Sequence, residues 1–271
     1  MNNLKIFCTS INYFKIIDKL PKYIIPIGLG KESFPSNWID EKKGENISHL
    51  NLFYGELTGI YWIWKNAINK MDENDFIGNC HYRKLWLDNL YNKKQKTSIR
   101  SLHSKLFKFN EKNLINLDAI QVQPIIFKNK NLFEDFFEIH KTDILKKSLE
   151  FFDDNTKISF TNHLNQKIFF PLNMFITKVK FFNEYCEILF PWLDKCLEYC
   201  KSNNLCESYN TRLPAFLAER FTSFWFSQKE KRICLSYARL GDFFLSNKIN
   251  NLINPIKIPF TFRMYPTLHD Y

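Results

Sequence analysis

Seven glycines in 271 residues are few for a protein that would grip phosphates with glycine-rich loops. Gly28, Gly30, Gly44, Gly55, Gly59 and Gly78 all fall in the first third, and only Gly241 follows. Gly28-x-Gly30 lacks the third glycine of a dinucleotide fingerprint, and no P-loop occurs. Long apolar runs are missing as well. Tyr23–Leu29 and Phe169–Ile176 fall far short of the ~20 residues that cross a bilayer. Met1–Ser10 carries no basic region followed by a long apolar stretch and a cleavage site, so the expected compartment is the cytoplasm. The 7 cysteines are odd in number and irregularly spaced, with no C-x-x-C. Cys196 and Cys200 stand one helical turn apart near Cys206, but no histidine is spaced as a ligand. Buried thiols are therefore expected rather than a metal cluster or disulfides.

What is present is bulk and positive charge. Hydrophobic residues make up 45% of the chain, including 28 Phe and 12 Tyr, which is ample for a core and excludes disorder for most of the length. Lys and Arg number 38 against 28 Asp and Glu, a net charge of +10. Much of the excess sits in 93–112, where Lys93, Lys94, Lys96, Arg100, Lys105, Lys108 and Lys112 are opposed by Glu111 alone. Ile99, Leu102, Leu106 and Phe109 recur there at helical spacing, as on an amphipathic helix that lies on an anionic membrane or packs on the domain. Basic charge and aromatics would also suit a nucleic-acid-binding protein. No RNP, KH, zinc-finger or helix-turn-helix signature accompanies them, so no nucleic-acid partner is expected.

Periodicity predicts strands at Lys5–Thr9, Tyr23–Ile27, Asp75–Cys80, Ala119–Gln123 and Phe169–Ile176. It predicts helices at Asn51–Asn69, Leu132–His140, Asp143–Phe152, Lys180–Lys201 and Tyr209–Ser227. The absence of glycine between Gly78 and Gly241 predicts a helical second half with few turns at positive φ. The order strand, loop, helix, strand, polar cluster predicts an α/β sheet with functional residues at strand ends.

Several segments resemble a bacterial family of capsular-polysaccharide and lipopolysaccharide glycosyltransferases that long carried only a domain-of-unknown-function label. They are Ile25–Gly30, Asn46-Ile47-Ser48 with Asn51, the run Glu56-Leu57-Thr58-Gly59-Ile60-Tyr61-Trp62-Ile63-Trp64-Lys65-Asn66, and Ile77–Arg83 with its His81-Tyr82-Arg83. Asn173–Ile176 and Phe216–Arg220 match later motifs. The resemblance implies a GT-A-like mixed sheet flanked by helices, with a helix-rich C-terminal half. It would occupy residues 1–247 as one domain, with 93–112 as a basic insertion and 248–271 as an extended tail. The implied activity is transfer of a sugar from a nucleotide-sugar, with UDP-sugars foremost, to a capsule, lipopolysaccharide or lipooligosaccharide glycan, free or lipid-linked. A noncatalytic scaffold of a capsule-assembly complex would share these motifs without turnover.

On that resemblance the donor-binding residues are expected to be Thr9, Gly28, Gly30, Asn46, Asn51, His81, Tyr82, Arg83, Lys84 and Asn173. Arg83 would clamp the diphosphate through its planar fork of donors. Glu56 and Glu219 lead as the base, with Asp75 next. Glu56 has the competing role of an ion pair with Arg83, and Glu219 that of a buried pair with an arginine. Arg212 and Arg220 are expected at the acceptor. Tyr61, Trp62 and Trp64 follow helical spacing and are expected to pack. No cofactor is expected. No D-x-D occurs to hold a divalent metal, and Glu73-Asn74-Asp75 precedes its strand at the wrong end, so a metal is not favoured.

Overall fold

The computed structural model of the chain describes residues 3–88, 104–108, 114 and 116–240. The expected tail at 248–271 and most of the basic segment at 93–112 lie outside them. Of that segment, Leu106 and Phe107 are described and are buried, and Leu106 bridges to Leu87.

Among the described residues, nine strands form one sheet. They are β1 (Leu4–Ser10), β2 (Ile24–Gly28), β3 (Ile39–Asp40), β4 (Phe76–His81), β5 (Lys84–Trp86), β6 (Ala119–Val122), β9 (Phe175–Lys178), β10 (Arg232–Leu235) and β11 (Tyr237–Arg239). The main path runs β10-β6-β9-β4-β1-β2-β3, and β5 joins β4 to β11. A separate two-stranded ribbon pairs β7 (Ile125–Ile126) with β8 (Ile168–Phe169). Along the main path β9 alone runs antiparallel to its neighbours β4 and β6. This reversal places the start of β9 at the edge where β1, β2 and β4 end. A mixed sheet flanked by helices, with a helix-rich C-terminal part, is the fold the sequence predicted.

Strand residues alternate between two apolar layers, as a sheet buried on both faces requires. Phe7 and Ile77 face a layer with Phe175, Tyr185, Phe221 and Phe226, whereas Ile6, Cys8 and Phe76 face a second layer with Trp86, Leu87 and Tyr237. The first layer is supplied by the 24-residue helix α6 (Val179–Ser202) and by α7 (Leu213–Ser227), which pack together. All seven cysteines are free, and burial pushes the Cys196 thiol well up, so no chemistry attaches to it.

Several expected elements are broken. The helix expected over Asn51–Asn69 is α1 (Asn51–Tyr54) and α2 (Leu57–Asn66), divided at Gly55, whose φ is 55°. The strand expected over Phe169–Ile176 is interrupted by Pro171 and by Leu172 at φ 73°, which leaves Asn173 in a loop. The helix expected from Tyr209 opens as a 3-10 turn, Ser208–Arg212, before Pro214 starts α7. Asp143–Phe152 is a short helix, α4 (Ile144–Ser148), continued by a 3-10 turn. It follows α3 (Leu132–His140), whose start has the Asn131/Glu134 capping box. A further helix, α5 (Asp154–Leu164), was not expected, because its apolar stripe is weak and its start rests on the Asp153 cap.

The glycine-free half does not avoid positive φ. Lys141, Leu172, Asn204 and Ser208 adopt it without being glycine, and two of these flank the site described next.

Candidate active site

The carboxyl ends of β1 and β4, the loop before β9 and the start of α7 enclose a cavity of about 240 Å³. Thr9 and Ser10 come from the end of β1, and His81, Tyr82 and Lys84 from the turn after β4. Glu56 comes from the break between α1 and α2, Leu172 from the loop before β9, and Arg212, Phe216 and Glu219 from the opposite helical wall. The strand ends are held in register, with Thr9 opposite His81 and Ser10 opposite Gly28. Thr9 Oγ1 donates to the Cys80 carbonyl at 3.2 Å, and the Tyr82 amide donates to the Thr9 carbonyl at 3.0 Å.

Glu56 is the most heavily supported side chain of the site. Asn173 Nδ2 donates to its Oε1 at 3.0 Å and Arg212 Nη2 to its Oε2 at 3.3 Å. Asn173 is itself fixed: Thr222 Oγ1 donates to its Oδ1 at 3.0 Å, the Asn79 amide donates to its carbonyl, and Tyr185 OH lies 2.7 Å behind on Thr222. Leu172 at positive φ is the turn that aims Asn173 at Glu56. A bulky residue there costs of order 1 kcal/mol or more, and such strain gathers where geometry matters.

The two carboxylates are pushed in opposite directions. Burial raises the Glu219 carboxyl to about 7, helped by the negative charge of Glu56 and opposed by Arg220, Lys84 and Arg212. Burial acts on Glu56 too, but His81, the Asn173 hydrogen bond and Arg212 outweigh it and hold the group below its ordinary value. Burial lowers His81 to about 4, against the attraction of Glu56, so the imidazole is neutral at neutral pH. Burial also lowers Lys84, while Glu219 and Glu56 oppose the shift. The site thus holds one fixed carboxylate, one carboxyl poised near neutrality and the basic side chains Lys84 and Arg212. Pairs of titratable groups driven apart in this way mark acid-base chemistry.

The sequence-derived candidates divide accordingly. Thr9, Glu56, His81, Tyr82, Lys84, Arg212 and Glu219 line the cavity, and Asn173 supports it from behind. The partner of Glu56 is Arg212, not Arg83. Arg83 is exposed, outside the cavity lining, with its guanidinium over the Tyr82 ring at 5.2 Å. Arg220, expected at the acceptor, is buried outside the cavity lining, pairs with Asp135 and lies 3.8 Å over the Phe169 ring. The buried pair imagined for Glu219 therefore belongs to its neighbour. Asp75 lies at the far edge of the sheet, accepting from the Asn3 and Asp72 amides at 2.7 and 3.2 Å. Phe34 fills the open face of Gly28, where a Cβ would meet its ring at 2.2 Å. The Gly30 amide donates to Glu41 at 2.6 Å. Asn46 organises its own loop, accepting from the Ser48 amide and hydroxyl, and Asn51 ties Gly55 to Thr58. Tyr61 and Trp64 pack on Phe190 as expected.

Sequence reasoning missed Leu172, Phe216 and Ser10 as lining residues and Thr222 and Tyr185 as the relay behind Asn173. Pro171 and the Asn after Leu172 were a usable turn signal; the relay has no local signature.

A family model described as "Domain of unknown function (DUF4422)" matches residues 5–230. No curated protein matches the chain. Among solved structures, the apo structure of WbbM, a bifunctional glycosyltransferase, is similar with a TM-score of 0.71 at 19% identity. The similarity covers 87% of this chain and 45% of WbbM, so the chain spans less than half the length of that protein.

Proposed function

The chain belongs to the family described as a domain of unknown function, DUF4422, and from that premise we propose that it is a glycosyltransferase moving a sugar from a nucleotide-sugar to a surface-glycan acceptor. The observation that carries this reading is Glu219, poised near pH 7 in a cavity where Glu56 stays ionised and Lys84 and Arg212 also line the wall. The resemblance of the sequence to capsule and lipopolysaccharide enzymes supports it, as does a fold shared with a glycosyltransferase.

In this reading the acceptor hydroxyl attacks the anomeric carbon. The new C–O bond forms as the bond to the diphosphate oxygen breaks, and that oxygen keeps the electron pair. The hydroxyl proton passes to Glu219, whose pKa matches the working pH. Lys84 counters the charge that grows on the diphosphate. Glu56 stays anionic beside the anomeric carbon as positive charge develops there, and it fixes Arg212 in place.

A divalent cation requires several hard oxygen ligands. Both Glu56 oxygens are engaged by Asn173 and Arg212, and among the described residues no group of three His, Cys, Asp or Glu side chains could hold a metal ion. These residues do not fit a metal, and transfer is proposed to proceed without one. The basic segment 93–112 is proposed to contact an anionic membrane through its charge alone, since Leu106 of its apolar stripe packs in the core. Among the described residues no helix is long and apolar enough to cross a membrane.

The test is nucleotide release in the presence of capsule and lipopolysaccharide oligosaccharides: the nucleoside diphosphate from UDP-, GDP- and dTDP-sugars, and CMP from CMP-sugars. Turnover of one donor with a mass gain on the acceptor is expected. Donor binding without turnover would make the chain a scaffold, and the absence of both binding and turnover across the panel would overturn the reading.

A further inference from the structure

Beside the cavity mouth stands a large aromatic residue that the catalytic reading does not use. Tyr209 is 64% exposed, yet its ring is held. It stacks on Phe216 at 5.1 Å and 25° and on His140 at 5.7 Å and 12°. The turn that carries it is pinned on both sides. Asn210 donates to the His140 carbonyl at 2.9 Å and lies 3.0 Å from His140 Nδ1, while Arg212 is anchored on Glu56. Ser208, immediately before, takes a φ of 51°, an unfavourable conformation for a residue with a side chain, and Thr211 Oγ1 donates to its carbonyl at 2.8 Å. The chain thus maintains a strained, fully tied turn whose visible product is an aromatic face turned to solvent.

Phe216 belongs both to this stack and to the cavity wall, so the platform is continuous with the reaction site. A fixed aromatic face suits the apolar C–H face of a pyranose: little conformational entropy remains to be lost on binding, and the flanking hydroxyls stay in water. The other side of the mouth is formed by the end of β1, and nucleotides bind outside the carboxyl ends of strands in open α/β sheets. The helical wall is left for the acceptor.

We propose that Tyr209, supported by Phe216 and His140, is a stacking subsite for a sugar ring of the acceptor glycan. The proposal rests on the glycosyltransferase reading for the meaning of "acceptor", so its test has two arms. In the first, wild type and Tyr209→Ala, Tyr209→Phe and Tyr209→Trp are compared for binding to immobilised capsule and lipopolysaccharide-core oligosaccharides. In the second, their acceptor and donor KM values are measured separately. Tyr209→Ala should weaken glycan binding and raise acceptor KM about tenfold, with donor KM and the melting temperature unchanged. The Phe and Trp variants should retain binding, since the ring face is kept. Unchanged glycan binding and acceptor KM in Tyr209→Ala would overturn the subsite, and a rise confined to donor KM would reassign the ring to the nucleobase. Glycan binding that depends on Tyr209 without any donor turnover would uphold the subsite while removing the transferase reading.

Discussion

Arg212 reaches Glu56 over a residue that has no side chain to obstruct it. The 3.3 Å ion pair spans 156 positions of sequence, and a Cβ at Gly55 would stand 1.8 Å from Arg212 Nη2. Gly55 therefore does two things: it accepts φ 55° to break the helix before Glu56, and it clears the path for the guanidinium.

Gly55→Ala should accordingly cost about 1 kcal/mol or more in stability and displace Arg212. Transfer should fall while the far-UV circular dichroism stays that of a folded chain. A variant with normal kcat/KM would show that the Arg212–Glu56 pair is dispensable.

Glu219→Gln should keep donor affinity, read by calorimetry, and lower kcat by roughly 10²-fold or more. The wild-type rate should rise with pH and level off above about 7, where Glu219 has lost its proton. The sign for stability is opposite: a carboxyl raised above its unfolded value stabilises the fold at low pH, and that contribution is lost as pH rises through about 7.

Arg220→Met should lower the melting temperature, because buried Asp135 would keep only Lys130, at 3.0 Å, as its partner. Acceptor KM should stay unchanged, since Arg220 is turned away from the cavity. A normal melting temperature with a raised acceptor KM would return Arg220 to the acceptor site.

Burial lowers His163 to about 4. It packs between Ser223 Oγ at 3.0 Å and Ser227 Oγ at 3.4 Å. A histidine depressed in the folded state binds its proton more readily when unfolded. The resulting destabilisation is absent above pH 6.5 and grows, as pH falls through 4, to about 3 kcal/mol. Urea melts should show this slope, and His163→Gln should reduce it, the remainder coming from His81, which burial also lowers to about 4.

Transfer should persist in excess EDTA and gain little from Mn²⁺ or Mg²⁺. Complete loss, restored by Mn²⁺, would show that charge compensation was placed on the wrong residues.

The strand ends were legible because they carry local signals. Short apolar runs located β1 and β4, and the polar run after β4 pointed to His81, Tyr82 and Lys84. Glu56 stood out beside the apolar face of an expected helix, and Glu219 beside Arg220, the charge that interrupts the next helix's apolar stripe. The errors arose where a single backbone residue overrode a good pattern. Gly55 and Leu172 broke elements that their neighbours predicted, and it is those breaks that bring Glu56 and Asn173 together. Arg83 was chosen as a cation in a motif, and Arg220 as a charge that interrupts an apolar stripe. Their roles depended on which way one residue in a turn or helix faces, and neighbouring positions face differently: Lys84 enters the cavity where Arg83 does not, and Glu219 where Arg220 does not.

The antiparallel strand β9 also sets the order in which the sheet can be completed. Its neighbours β4 and β6 both precede it in the chain, by about a hundred and about fifty residues, and β6 waits longer still for β10. During synthesis two hydrophobic strands are therefore made long before the strand that separates them. Until Phe175–Lys178 is inserted, each presents an unpaired edge of the kind that pairs between molecules. The arrangement that delivers Asn173 to the cavity makes completion of the sheet depend on contacts distant in sequence, the kind of topology that slows folding and exposes strand edges on the nascent chain.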